Sequence, residues 1–192
     1  MMTVPHPDPG LSLSLRGLEP ADEPAVLALY ERCTDWFRRA TGLPPGPGDV
    51  QSLYYALPEG ADFDRKRLLV VESGAAPGAP GDIVGLIDAV LGHPGPDGCA
   101  VGVFLVDPRL RGRGVGRAVA RRLLERAAAG GVRRVTASLV AGEEGGRALL
   151  TALGFRIVPG APGGGPTGAN RNPGPYEGPV LRAELTISSG HI

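Results

Sequence analysis

Apolar and polar positions divide the chain into segments of two periods. Leu11 to Arg16 alternates with period two and predicts a first strand. Val26, Leu29, Tyr30 and Cys33 recur at helical spacing, predicting a helix from Leu18 to about Cys33 with proline in its early turns. A second helical piece covers about Asp35 to Thr41 and ends at Gly42. A third runs from Asp49, a capping residue, to Leu57, where Pro58 stops it. Leu68 to Glu72 and Ile83 to Leu91 read as antiparallel strands joined by a loose connection. Ala100 to Val106 is apolar, rich in β-branched residues and of strand length, and Pro108 ends it. Val115, Val119, Leu123 and Ala127 then recur every four residues, a helix that Gly130 and Gly131 stop. A strand over Arg134 to Val140, a helix over Glu143 to Leu153, a short strand over Phe155 to Val158 and a last strand over Val180 to Ile187 complete the order.

Antiparallel strands followed by a β-α-β crossover predict an α/β fold of the α+β type. Its central sheet is mixed and mostly antiparallel, with helices on both faces. The 31 glycines and 20 prolines raise the question of disorder, but they cluster at Met1 to Gly10, Gly74 to Gly81, Gly92 to Gly98 and Pro159 to Pro179. Between clusters the periodicity is that of a folded chain. With 192 residues, the expectation is a flexible tail at 1–10 and one domain over 11–192, carrying a Pro/Gly-rich loop at 159–179. Basic and acidic residues balance at 20 each, which argues against a general polyanion binder, so no nucleic-acid partner is expected. Cys33 and Cys99 lie far apart without metal-ligand spacing, which fits a reduced cytoplasm and no metal. No stretch has the length of a membrane span, and Met1 to Gly10 lacks the apolar run of a signal peptide.

Between the Ala100–Val106 strand and the following helix lies Arg111-Gly-Arg-Gly-Val-Gly-Arg117. A helix N-terminus presents unpaired backbone N–H groups and the positive end of the helix dipole. Glycines at 112, 114 and 116 let the backbone approach a ligand closely, and Arg111, Arg113 and Arg117 add positive charge. The turn suits a phosphate or pyrophosphate. A P-loop would need Gly-Lys-Ser/Thr, and Lys66 is the chain's one lysine. A dinucleotide fingerprint would need glycine where Arg117 stands and would come early, after the first strand. An Arg/Gly surface loop that contacts RNA is the plainer alternative.

The spacing Arg111-x-x-Gly114-x-Gly116 resembles the acyl-CoA pyrophosphate loop of the GNAT N-acetyltransferase superfamily. The element order resembles that fold over nearly the whole chain. Leu15 to Asp22 is similar to a GNAT opening, and Leu149 to Phe155, ending in Leu-Gly-Phe, to the segment after the second cofactor strand. The resemblance implies a bacterial, acetyl-CoA-dependent N-acyltransferase acting on a primary amine of a small molecule or protein. The alternative is a GNAT-fold acyl-CoA sensor with weak catalysis. By the same resemblance, Phe104, Leu105 and Val106 hold the pantetheine arm, and Arg111, Gly112, Arg113, Gly114, Val115, Gly116 and Arg117 hold the pyrophosphate. A backbone N–H near Val106 faces the thioester oxygen. Homodimers are common among such proteins.

The chemistry needs a neutral amine and a leaving thiolate. The central strand has no acid, so the candidate bases are Asp88 and His93. Asp88 faces either solvent or the cleft; His93, between Gly92 and Pro94, is otherwise an exposed loop residue. The tyrosine that many relatives place five residues before the Phe of Gly-Phe is Leu150 here, and Glu143 replaces the usual asparagine. Tyr176 in the Pro/Gly loop is the remaining candidate acid, or only a loop residue. In a chain with 5% aromatics, Trp36, Phe37, Tyr54 and Tyr55 fall where relatives build the acceptor site. They either line a pocket for an apolar or cationic acceptor or anchor a core. Asp35 either pairs with the acceptor ammonium or caps its helix.

Overall fold

A computed structural model describes residues 1–74, 81–159 and 180–187. Eight strands form one sheet in the order β1-β2-β3-β4-β5-β6-β8-β7. They are β1 (Met2–Val4), β2 (Leu13–Gly17), β3 (Lys66–Ser73), β4 (Asp82–Leu91), β5 (Gly98–Val106), β6 (Arg134–Val140), β7 (Arg156–Pro159) and β8 (Val180–Thr186). Every neighbouring pair is antiparallel except β5 with β6. The mixed, mostly antiparallel sheet of the sequence expectation is therefore present. Five helices accompany it: α1 (Glu23–Arg32), α2 (Thr34–Thr41), α3 (Pro47–Tyr55), α4 (Val115–Ala129) and α5 (Glu144–Ala152).

The apolar periodicities fill the two faces of the sheet differently. On one face, Val26, Leu29 and Tyr30 of α1, Cys33 between α1 and α2, Phe37 of α2, and Val50 and Leu53 of α3 close over Val70, Leu86, Val103 and Leu105. On the other, Val115 and Val119 of α4 meet Leu13, Leu15, Val71 and Ile87. The expected flexible tail is different in part. Met2–Val4 pairs with Leu13–Leu15 as an edge strand, and Val4 is buried. The three-residue Met-Thr-Val segment is too short to carry a visible period, and pairing with β2 supplies what periodicity could not.

Strand β5 is held unevenly. It pairs with β4 from Cys99 to Val106, with a bulge opposite Asp88 and Ala89. It pairs with β6 only from Gly98 to Val101, against Arg134 to Ala137. Beyond that the two parallel strands separate, while β6 stays paired with β8 along its whole length.

The far end of β5 is fixed by Asp107, whose side chain is 0% exposed. Its N–H donates to Val84 O at 2.8 Å. Its carboxylate accepts from Arg32 Nε at 2.6 Å and from Arg109 Nη2 at 2.7 Å, Nε, and backbone N–H. Burial works to raise the Asp107 carboxyl, but the bonds from Arg109 and Arg32 outweigh it and hold it at about 2. A folded-state value below the usual 3.8 means that Asp107 stabilises the fold above pH 3.8 and stops doing so as pH falls toward 2. Asp107→Asn is expected to cost about 2 kcal/mol at pH 7, since it removes charge-assisted bonds from partly exposed arginines. Thermal unfolding from pH 7 to pH 2 checks this: the gap between wild type and variant narrows below pH 4, and a gap independent of pH contradicts it.

Candidate functional site

The glycine-rich turn lies where β5 ends and α4 begins. Gly112 and Gly114 have φ of 73° and 85°, left-handed values that side chains with a Cβ adopt at a cost. Gly114 is the residue from which α4 starts. The N–H groups of Val115, Gly116 and Arg117 open the helix and have no carbonyl one turn behind them. A Cβ on Gly116 would lie 3.5 Å from Leu149, 3.7 Å from Val106 and 3.8 Å from Phe104, ordinary contact distances that place the first turn of the helix against the strand. Beside this turn runs the open edge of β5. The Asp107 N–H points to β4, and alternate residues turn their backbone groups to opposite sides. Phe104 and Val106 therefore turn theirs toward the gap left by β6. A strand edge leading into a helix N-terminus offers hydrogen bonds for an extended amide chain ending in phosphates. The residues present fit the pantetheine and pyrophosphate of an acyl-CoA.

The three arginines of the turn do different things. Arg117 is exposed and lines the cleft. Arg113 pairs with Asp8 at 2.9 Å, and its carbonyl meets His6 Nε2 at 2.9 Å, so the segment after β1 lies over the turn. Arg111 reaches toward α2. It donates from Nη1 to Asp35 at 2.7 Å and from Nε to Val106 O at 3.1 Å, with Nη2 3.7 Å from Cys33 Sγ.

The cleft belongs to a cavity of about 830 Å³ between the sheet and α4, bounded at one side by α5. Trp36 and Glu143 stand at its mouth, and Glu143 pairs with Arg39 at 2.9 Å. Leu150, at the position of the family tyrosine, lines the cavity with Leu149 and Leu153.

The catalytic candidates are not brought together. The Asp88 carboxylate is bound through both oxygens by Lys66 Nζ, at 2.8 and 2.9 Å, and Lys66 also donates to Ala56 O at 2.6 Å. Burial pushes the Asp88 carboxyl up, and Lys66 opposes it. The side chain is buried and does not line the cavity. His93 lies past the end of β4 in the turn to β5. From Gly85, the partner of Val106, to Leu91 is six strand residues, roughly 20 Å, and His93 is beyond that. Tyr176 and all but the first residue of the expected 159–179 loop fall outside the described residues.

The acceptor candidates divide. Trp36 lines the cavity and Asp35 adjoins it through Arg111. Phe37 belongs to the core, 3% exposed, with its ring against Tyr30 and Trp36 at centroid distances of 4.6 and 5.1 Å. Tyr54 and Tyr55 are on α3 away from the cavity lining, and Tyr55 is 72% exposed. Sequence reasoning missed Cys33 as a neighbour of the cleft, 3.8 Å from Val106 O, and Asp107 as the joint of β5. An acid directly before a proline at a strand end was the available signal for Asp107.

Cys33 beside a thioester site raises the question of a covalent acyl-cysteine. Burial pushes its thiol up to about 11, against the pull of Arg111, so it stays protonated and unreactive near neutrality. Burial pushes Cys99 to about 11 as well. Folded protein treated with iodoacetamide at pH 8 is expected to keep both thiols, while the unfolded chain loses both, as read by intact mass. Rapid modification of Cys33 in the folded state contradicts this.

A family model described as the acetyltransferase (GNAT) family matches residues 30–155. No curated protein matches. Among solved structures, an acetyltransferase from Thermus thermophilus is similar at 26% identity, with 97% of this chain and 100% of that one covered and a TM-score of 0.63. A GCN5-related N-acetyltransferase from Kribbella flavida (24% identity, 91% and 98% covered, TM-score 0.61) has the same fold. So does the ribosomal-protein-S18-alanine N-acetyltransferase from Escherichia coli (18%, 93% and 96%, 0.59). With the family model covering more than half of its length, the chain belongs to the GNAT acetyltransferase family.

Proposed function

We propose that the protein transfers acetyl from acetyl-CoA to a primary amine of a small molecule or protein by direct attack. The observation that carries this is the open edge of Phe104 and Val106 running into the unpaired N–H groups of Val115 to Arg117. Acetyl-CoA supplies an activated acyl group whose C–S bond breaks as the C–N bond forms. The backbone near Val106 holds the thioester oxygen where charge develops. The glycine turn holds the phosphates. Protonated Cys33 leaves the amine as nucleophile. Trp36 and Asp35 form the acceptor side, and two buried free thiols suit a reducing cytoplasm. Among the described residues, the acid lining the cavity is Glu143 at its mouth, so the amine gives its proton to water.

The second reading is an acyl-CoA sensor with weak catalysis. Leu150 favours it, because the position offers the leaving thiolate no proton.

Thiol release across a panel of amines, beside thermal shift with acetyl-CoA and CoA, separates the two. Release that depends on one amine class supports the transferase; a shift with no release across the panel supports the sensor. Gly114→Asp and Gly116→Asp place a carboxylate at the phosphate site, and Gly114→Asp also strains a left-handed residue. Each is expected to weaken acetyl-CoA at least about 100-fold in calorimetry, equal to about 2.7 kcal/mol, in a folded protein. Normal affinity in both overturns the assignment. With water as proton acceptor, log kcat/KM rises with unit slope toward the amine's own pKa, about 10.4 for a lysine-type amine. A plateau beginning between about pH 7 and 8 identifies a protein base instead.

A further inference from the structure

The two faces of the sheet are closed to different degrees. Under α1 to α3, Val26, Leu29, Val70 and Leu86 are all 0% exposed. Under α4 the lining includes small residues, Ala120 and Ala127 on the helix, Ala89 and Ala137 on the sheet and Gly102 on β5, beside larger ones such as Leu123, Leu124 and Val135. Ala89, Val101, Leu124, Ala127 and Ala137 keep intermediate exposure although a fifteen-residue helix covers them. Interiors are normally packed to crystal density, and apolar walls that keep solvent access lose dispersion contacts and hydrophobic gain. The space is thus shaped for an apolar occupant. It is one cavity with the cleft, since its lining also includes Phe104, Val106, Gly114 and Gly116.

From this geometry, and resting on the acyl-CoA reading above, we propose that the cavity under α4 takes the chain of a medium-chain acyl-CoA, so that the protein accepts acyl donors longer than acetyl. If the pantetheine follows Phe104 to Val106, the acyl chain continues along β5 toward Cys99. From Phe104 to Cys99 is five strand residues, about 16 Å. An extended alkyl chain advances about 1.25 Å per carbon, from a 1.52 Å bond at a near-tetrahedral angle. Eight carbons take about 10 Å and fit within that length, as the same bond geometry gives. An acetyl group places one methyl there and leaves the alanines uncovered. Of the charged lining groups, Arg111, Arg117 and Glu143 lie at the mouth with the phosphate site; Arg67 and Arg126 are exposed and Arg16 is paired with Asp22 and Glu72, while the rest of the lining is largely apolar. Transfer remains an exchange of C–S for C–N: the amide forms on the acyl carbon, CoA leaves as its thiolate, and the proton lost by the amine nitrogen passes through water to that thiolate.

Calorimetric titration of the full chain with acetyl-, butanoyl-, hexanoyl- and octanoyl-CoA tests this. Complete burial tightens binding up to about fourfold per methylene. Octanoyl-CoA is therefore expected to bind at least about tenfold tighter than acetyl-CoA, with affinity rising at each step. Ala127→Phe fills the far part of the cavity outside the cofactor turn. It is expected to hold acetyl-CoA within about twofold of wild type and to flatten the rise for longer chains. Where that variant does not fold, the wild-type heat-capacity change decides: it grows more negative from acetyl to octanoyl if the chain is buried. Equal or weaker binding of octanoyl-CoA, or no change in heat capacity, overturns the proposal and leaves the acetyltransferase reading standing. A rise that Ala127→Phe does not alter overturns this location. Failure of every acyl-CoA to bind folded protein overturns both.

Discussion

Strand β5 leaves β6 after Val101 because its far end is tied elsewhere. The Asp107 N–H bonds to β4, and the Asp107 carboxylate binds Arg32 of α1 and Arg109 of the following turn. Arg32 also donates to Ile83 O, adding α1 to the same joint. Strand β6 is drawn the other way by seven residues of pairing with β8. Neither strand can close the gap without giving up these bonds. An unpaired strand edge in a fold interior is ordinarily a cost that evolution removes. Here it is held open: the Phe104 backbone and the Val106 N–H face the gap, while Val106 O accepts from Arg111. The bulge opposite Asp88 and Ala89 bends β5 at the point where the separation begins.

The same constraint explains why the two faces differ. On the α1–α3 side nothing has to enter, and branched residues with near-zero exposure seal the sheet. The Lys66–Asp88 pair lies on that side. Two buried ions in direct contact, with Ala56 O as a further acceptor, lock the end of α3 to β3 and β4. Such a pair contributes little net stability, but losing one partner leaves an uncompensated charge, so the pair fixes geometry more than it adds energy. On the α4 side the cover is looser, with alanine and glycine among the larger residues that line the cavity.

Much of this was legible in the sequence, because periodicity and punctuation both pointed the same way. The limits of α4 and β6 matched the apolar repeat and the flanking glycines. The position of the glycine turn between β5 and α4 was legible because a strand–helix junction is marked by glycines that the sequence displays. Side-chain chemistry was not, for a physical reason. Asp88 sits in an apolar run, and a single sequence does not say which face of the strand carries its counter-ion; Lys66 is 22 residues away. Phe37 and Trp36 are adjacent, so helical geometry sends one into the core and the other to the cavity mouth. His93 follows β4 in the sequence, but the strand carries the chain from Gly85, opposite Val106, to Leu91 before the turn that holds His93 begins.

The segment after β1 bears on how the proposed phosphate site would obtain its affinity. Asp8 pairs with Arg113 and so puts a carboxylate against a residue that would otherwise face an anion. Both side chains are nearly half exposed, at 42% and 49%, and a pair of that kind is worth about 0 to 1 kcal/mol. A ligand phosphate can displace it at small cost. Arg111, the other inward-facing arginine, is engaged with Asp35 and Val106 O. Two of the three arginines are thus committed to protein carboxylates, and Arg117 remains in the open. The charge of the turn is largely answered from within the fold, whereas the N–H groups of Val115 to Arg117 have no partner one turn back to answer them. In the proposed function, recognition at this site would therefore rest on backbone whose turn is set by the left-handed Gly112 and Gly114. The arginines serve mainly to tie that backbone to α2 and to the edge strand.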